Sequence, residues 1–75
     1  MKQEDAITLI KKEYLNTKKD YMPFNTKHEG YAFIQESLDS LWDTIKFEGK
    51  EEELRMKASQ VSAMALRFLI DLIGR

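Results

Sequence analysis

Four acidic side chains recur in the middle of the sequence at intervals that suit one face of a helix. They are Glu29, Glu36, Asp39 and Asp43. At 100° per residue they lie within an arc of roughly 80°. Carboxylates on one helix face can reach a shared cation, and all-oxygen ligation suits Mg²⁺ or Mn²⁺. The spacing therefore predicts a divalent-metal site, and the alternative is that these acids form the solvated face of an amphipathic helix.

Two further features bear on whether these acids bind a metal or form a solvated face. Phe33 and Phe47 lie beside the acids, so the acidic face is not purely polar. A single polar row on the next helix, made of Lys57, Gln60, Arg67 and Asp71, could face the acids and form a charged seam between the two helices.

Local sequence signals predict three helices, at about 3–19, 27–47 and 50–73. Pro23 disfavours helical geometry at the residue before it. Thr26 and Glu29 have the spacing of a capping box, which predicts a helix start near residue 27. Gly49 is predicted to adopt the left-handed conformation that ends this helix, and Gly74 to end the last one.

Apolar residues predict how the helices assemble. Those of the second helix form a narrow stripe, and residues 61–70 are apolar on nearly every side, which is typical of a helix buried on several faces. We expect an all-α bundle, one domain over 1–75, completed by a homodimer or a dimer of dimers. The predicted shared core is Ile34, Leu38, Leu41, Ile45, Val61, Ala65, Phe68 and Leu72.

Composition excludes several classes of protein. The chain has no cysteine, so disulfides and cysteine zinc sites are excluded. Twelve basic and thirteen acidic residues give a net charge of −1, so a nucleic-acid partner is not expected. No apolar run reaches a membrane span, and residues 1–20 interleave charge unlike a signal peptide, so we expect a cytoplasmic protein.

Residues 28–43 (HEGYAFIQESLDSLWD) and 60–68 (QVSAMALRF) together resemble the MazG-like all-α nucleoside triphosphate pyrophosphohydrolases, particularly the compact phage and prophage forms. The resemblance covers about residues 24–72. It implies Mg²⁺- or Mn²⁺-dependent hydrolysis of a nucleoside triphosphate to the monophosphate and pyrophosphate.

The resemblance also implies site residues. Glu36 and Asp39 match the family's first acidic pair, as catalytic metal ligands. The second pair falls on Lys57 and Gln60, of which only Gln60 can ligate a metal, because a charged lysine cannot. Asp43 is a further candidate ligand.

The candidate substrate contacts are Lys18, Lys57 and His28. Because Lys57 would place an ammonium where the metal's charge belongs, the alternative function is a non-catalytic interaction or nucleotide-binding protein of the same lineage.

Overall fold

The computed structural model describes residues 1–74, which form three helices: α1 (Gln3–Asp20), α2 (Lys27–Lys46) and α3 (Glu51–Leu72). These residues contain no strand, and the all-α prediction is confirmed with boundaries that differ by at most one residue. None of the described helices is long and apolar enough to cross a membrane. The single domain predicted for 1–75 stays a prediction, and Arg75 lies outside the described residues.

The start of α2 is capped as the sequence predicts. Thr26 Oγ1 accepts a hydrogen bond from the Glu29 backbone N–H at 3.1 Å. The Glu29 carboxylate reaches back, but it accepts from the N–H of Asn25 at 3.2 Å, one residue before the cap itself. The first bond occupies a backbone donor that the first turn of a helix leaves unpaired, and the second pairs the N–H just before the cap.

The prediction that Gly49 has the left-handed conformation at the end of α2 is wrong by one position. Glu48, and not Gly49, has positive φ, at 54°. The helix ends at Lys46, and two bonds close it: Glu48 N–H to the Ile45 carbonyl at 3.2 Å and Gly49 N–H to the Thr44 carbonyl at 2.8 Å. This is a Schellman motif, in which the first residue past the C-cap takes the left-handed conformation. Gly49 instead provides space, because a Cβ there would collide with the side chain of Thr44.

Helix α3 is the central element, since both α1 and α2 pack against it. The buried apolar side chains are Phe24, before α2, and Ala63 and Met64 of α3. Gly30 is buried where α2 approaches α3, and a Cβ there would lie 2.7 Å from the Phe68 ring and 3.1 Å from Leu72. A glycine in the first turn of α2 therefore sets how closely the two helices can pack.

The predicted shared core is only partly covered within one chain. Leu38, Ile45 and Ala65 are exposed, and the other five members are of intermediate exposure. The apolar stripe of α2 thus extends beyond its contact with α3. A bundle completed by oligomerisation needs a second chain at this stripe and stays a prediction.

Arg67 is the most deeply buried charged side chain among residues 1–74, with 2% of its surface exposed. Its guanidinium Nη2 donates to the Met22 carbonyl at 2.7 Å and to the Tyr21 carbonyl at 3.4 Å. The Thr17 carbonyl, in the last turn of α1, accepts from Nη1 at 3.5 Å. One side chain of α3 therefore holds the end of α1 and the segment that leads to α2.

Asp71 and Phe24 complete this arrangement. The Asp71 carboxylate lies 3.6 Å from Arg67 Nη2 and accepts a hydrogen bond from the Phe24 backbone N–H at 3.0 Å. The Phe24 ring lies 4.8 Å from the guanidinium carbon, at cation–π distance. Arg67 and Asp71 therefore bind the 21–24 segment and do not face the acids of α2 as the predicted charged seam requires.

Replacing Arg67 with lysine should lower the free energy of unfolding by about 2–3 kcal/mol. A lysine keeps the charge but cannot reproduce the planar, multiply donating guanidinium, so buried carbonyls lose charged donors. Urea unfolding followed by circular dichroism measures the change. Arg55→Lys makes the same substitution at an exposed position of α3 and should shift stability by no more than about 0.5 kcal/mol. Equal effects of the two substitutions would contradict this role for Arg67.

Candidate functional site

A polar cleft of about 270 Å³ lies where side chains of all three helices converge. Helix α1 contributes Glu13 and Asp20, α2 contributes Glu36, and α3 contributes Lys57 and Gln60. The cleft thus collects three carboxylates, one ammonium and one amide. We call this space the polar cleft, and these five are its charged and amide side chains.

The four acids on this face of α2 have different neighbours in the structure. Glu36 lines the polar cleft with Phe33, Ser37 and Ser40. Asp39 is turned about 60° further around the helix and accepts a hydrogen bond from Gln35 Nε2 at 2.9 Å.

The other two acids of this face have separate roles. Asp43 is paired with Lys46 at 3.4 Å, and the Glu29 carboxylate is bonded in the helix cap. Of the four acids of this face, Glu36 alone lines the polar cleft.

The remaining predicted site residues also separate into two groups. Lys57 and Gln60 line the polar cleft with Glu36. Lys18 is outside its lining, with its Nζ 5.6 Å from the centre of the Tyr14 ring. His28 lines a different groove, on the other side of α2.

Two residues of the polar cleft were missed by sequence reasoning. Glu13 and Asp20 are seven residues apart, which places them on one face of α1. That spacing is visible in the sequence. Nothing in it indicates that this face of α1 is turned toward the cleft, because that depends on how α1 packs against α3.

The polar cleft differs from an all-oxygen metal site because a lysine lies among its carboxylates. Among residues 1–74, no three acidic or histidine side chains are close enough together to share a metal ion. Lys57 brings an ammonium into the same small volume as the carboxylates of Glu13, Asp20 and Glu36, and it can neutralise charge that would otherwise attract a cation. Metal binding through Glu36, Asp39, Asp43 and Gln60 stays a prediction.

A second surface feature is apolar and lies on the other flank of α2. A groove of about 640 Å³ runs between α2 and α3, and its lining is almost entirely carbon. We call it the apolar groove. Its lining residues are Lys27, His28, Tyr31, Ile34, Ala65, Phe68 and Leu69.

The apolar groove continues along α2 as a row of large exposed side chains. Tyr31, Leu38, Trp42 and Ile45 have between 47% and 63% of their surface exposed. On a helical wheel they fall within about 60° of one another. With Ala65 and Leu69 of α3 they form what we call the apolar face.

No protein family model matches this sequence, and no characterised protein or solved structure is significantly similar to it. The fold and its surfaces define an all-helical protein with a polar cleft and an apolar face. The resemblance to MazG-like pyrophosphohydrolases therefore stays a prediction.

Replacing Lys57 with glutamate should create metal affinity in the polar cleft. The substitution removes the ammonium and adds a fourth carboxylate to the lining of the cleft, where the side chains can turn toward a bound ion, so Mn²⁺ should raise the Tm of the variant. At a hundredfold excess over the dissociation constant, the gain in stability is about 2.7 kcal/mol.

Lys57→Gln is the matched control, since it removes the charge without adding a ligand of equal strength. It should respond to Mn²⁺ much less than Lys57→Glu. A folded Lys57→Glu variant whose Tm does not respond to Mn²⁺ would show that the carboxylates do not converge closely enough to bind an ion.

Proposed function

We propose that this chain is a non-catalytic helical protein that works by associating with a second copy of itself through the apolar face. The observation that carries the proposal is the exposed row of Tyr31, Leu38, Trp42 and Ile45, continuous with the apolar groove. Single exposed apolar residues are normal on a protein surface. A contiguous row of large ones beside a groove is typical of an interaction site.

The surface area of the chain supports a second copy as the occupant. The chain exposes 5780 Å². A folded monomer of this mass, 8.8 kDa, is expected to expose about 4,800 Å². The excess of about 1,000 Å² is close to the roughly 800 Å² that each partner buries in a standard interface.

The stability of a short chain supports the same occupant. A chain of this length buries a smaller fraction of its surface than a larger domain does, and self-association is a common way to add buried area. The apolar face would supply a contiguous set of large side chains that the single chain leaves partly exposed. Each fully buried Leu or Ile contributes about 1.5–3 kcal/mol.

Leu38→Glu should weaken self-association by at least about a hundredfold, because it places a charge inside the interface. The wild-type protein should have twice the chain mass in size-exclusion chromatography with light scattering at high micromolar concentration, and the variant should have the mass of one chain. Leu15→Glu is the matched control, since Leu15 is a comparably exposed leucine on α1, away from the apolar face.

Two results would overturn the proposal. One is a wild-type protein that stays monomeric at high micromolar concentration. The other is a Leu15→Glu variant that dissociates as fully as Leu38→Glu. In the first case, a different macromolecule that binds the monomer would replace the second copy as the occupant of the apolar face.

A second candidate function is the metal-dependent hydrolysis of a nucleoside triphosphate that the family resemblance implies. The observation that favours it is the presence of Glu36 and Gln60 in one cleft with two further carboxylates. In this reading Glu36 and Gln60 hold the ion, and Lys57 contacts substrate phosphate.

Pyrophosphate release from a panel of ribo- and deoxyribonucleoside triphosphates, with Mg²⁺ and with Mn²⁺, tests this second candidate. If the polar cleft is active, Glu36→Ala should abolish release while Asp39→Ala leaves it nearly unchanged, because Asp39 is outside the cleft lining. Loss of activity in both variants would instead support the acidic pair of the family. No release from a folded sample would count against hydrolysis.

A further inference from the structure

We propose that Trp42 of each copy fills the apolar groove of the other, with the two α2 helices antiparallel about a two-fold axis at Leu38. This inference rests on the proposed self-association and names the contact that specifies it.

The apolar groove has the shape and chemistry to receive an aromatic side chain. Tyr31 and Phe68 supply aromatic walls, and the small Ala65 leaves room between them. Aromatic pairs contribute about 0.5–1.5 kcal/mol beyond the area they bury. At the rim, His28 offers an imidazole nitrogen that can accept a hydrogen bond from an indole N–H.

Trp42 is available to fill a groove on another copy. It is 55% exposed, and the Nζ of Lys46 lies 5.7 Å from its ring. A half-exposed tryptophan leaves a large apolar area to bury, and tryptophan is enriched among the residues that dominate binding energy at interfaces. It is also the chain's one tryptophan.

The spacing of residues along α2 is compatible with a two-fold axis at Leu38. Trp42 is four residues after Leu38, and Ile34, which lines the groove, is four residues before it. At 1.5 Å per residue, each lies about 6 Å from Leu38 along the helix axis. A two-fold axis through Leu38 that reverses the helix therefore places Trp42 of one copy at the same level along the interface as Ile34, and hence the apolar groove, of the other.

The same axis pairs the ends of the apolar row. Tyr31 and Ile45 are each seven residues from Leu38, so each faces the other across the interface. In a symmetric dimer, residue i contacts residue j and j contacts i, and both halves of the contact form together. Every large residue of the row then has an apolar partner.

Intrinsic tryptophan fluorescence of the wild-type protein tests the burial of Trp42 directly. As the protein is diluted through its dimer–monomer transition, measured by light scattering, the emission should shift to longer wavelength. Such a shift follows the transfer of the indole from an apolar groove to water. Emission that does not change across the transition would overturn the inference.

Cross-linking of single-cysteine variants tests the axis. The wild-type chain has no cysteine, so Leu38→Cys introduces one thiol per chain. A residue on the two-fold axis meets its own copy, and mild oxidation should give a disulfide-linked dimer. Ile45→Cys is the matched control, since its exposure is similar but the axis separates its two copies by about 21 Å along the helices.

The outcomes separate this inference from the proposed function. Leu38→Cys should cross-link several-fold more than Ile45→Cys, with both variants folded by circular dichroism. A dimer in which Ile45→Cys cross-links as well as Leu38→Cys, or better, would overturn the antiparallel arrangement and leave self-association standing. A protein that is monomeric throughout would overturn both.

Discussion

The rest of this structure depends on one buried guanidinium. Arg67 is almost completely enclosed, and a buried charge is costly unless hydrogen bonds and an opposite charge compensate it. The compensation comes from carbonyls at the end of α1 and in the segment before α2, together with Asp71. Because Asp71 also accepts from the Phe24 backbone, two side chains of α3 hold the segment between α1 and α2. Contacts made by Arg67 and Asp71 of α3 therefore fix the position at which α2 begins.

That anchoring decides which side of α2 faces which neighbour. With the start of α2 held and Gly30 allowing a close approach to Phe68, the helix turns Glu36 toward the polar cleft and leaves Tyr31 and Trp42 on its outer flank. The polar cleft and the apolar face are therefore two consequences of one packing arrangement. A change in the rotation of α2 about its axis would alter both, since side chains on one helix move together.

Sequence reasoning predicted the features that depend on local chemistry. Helix bounds, the Thr26 cap and the apolar stripe follow from propensity, hydrogen bonding and periodicity, which act over a few residues. It failed where a contact joins distant parts of the chain. Arg67 looked like one member of a polar row, and its partners near residue 22 could not be identified from spacing. Asp39 and Glu36 look equivalent at three residues apart, and only the orientation of α2 distinguishes them. The positive φ of Glu48 was missed because the helix ends one residue earlier than expected.

The composition of the polar cleft bears on the proposed association of two copies of the chain. Lys57 of α3 lines the polar cleft with Glu13 and Asp20 of α1 and Glu36 of α2, so its ammonium offsets part of the repulsion among these carboxylates. On the opposite flank of α2, the side chains of the apolar row keep between 47% and 63% of their surface exposed. A single chain therefore leaves these large apolar side chains partly exposed. A second copy that covers them would make stability depend on protein concentration, since a partner that binds only the folded state stabilises that state by mass action.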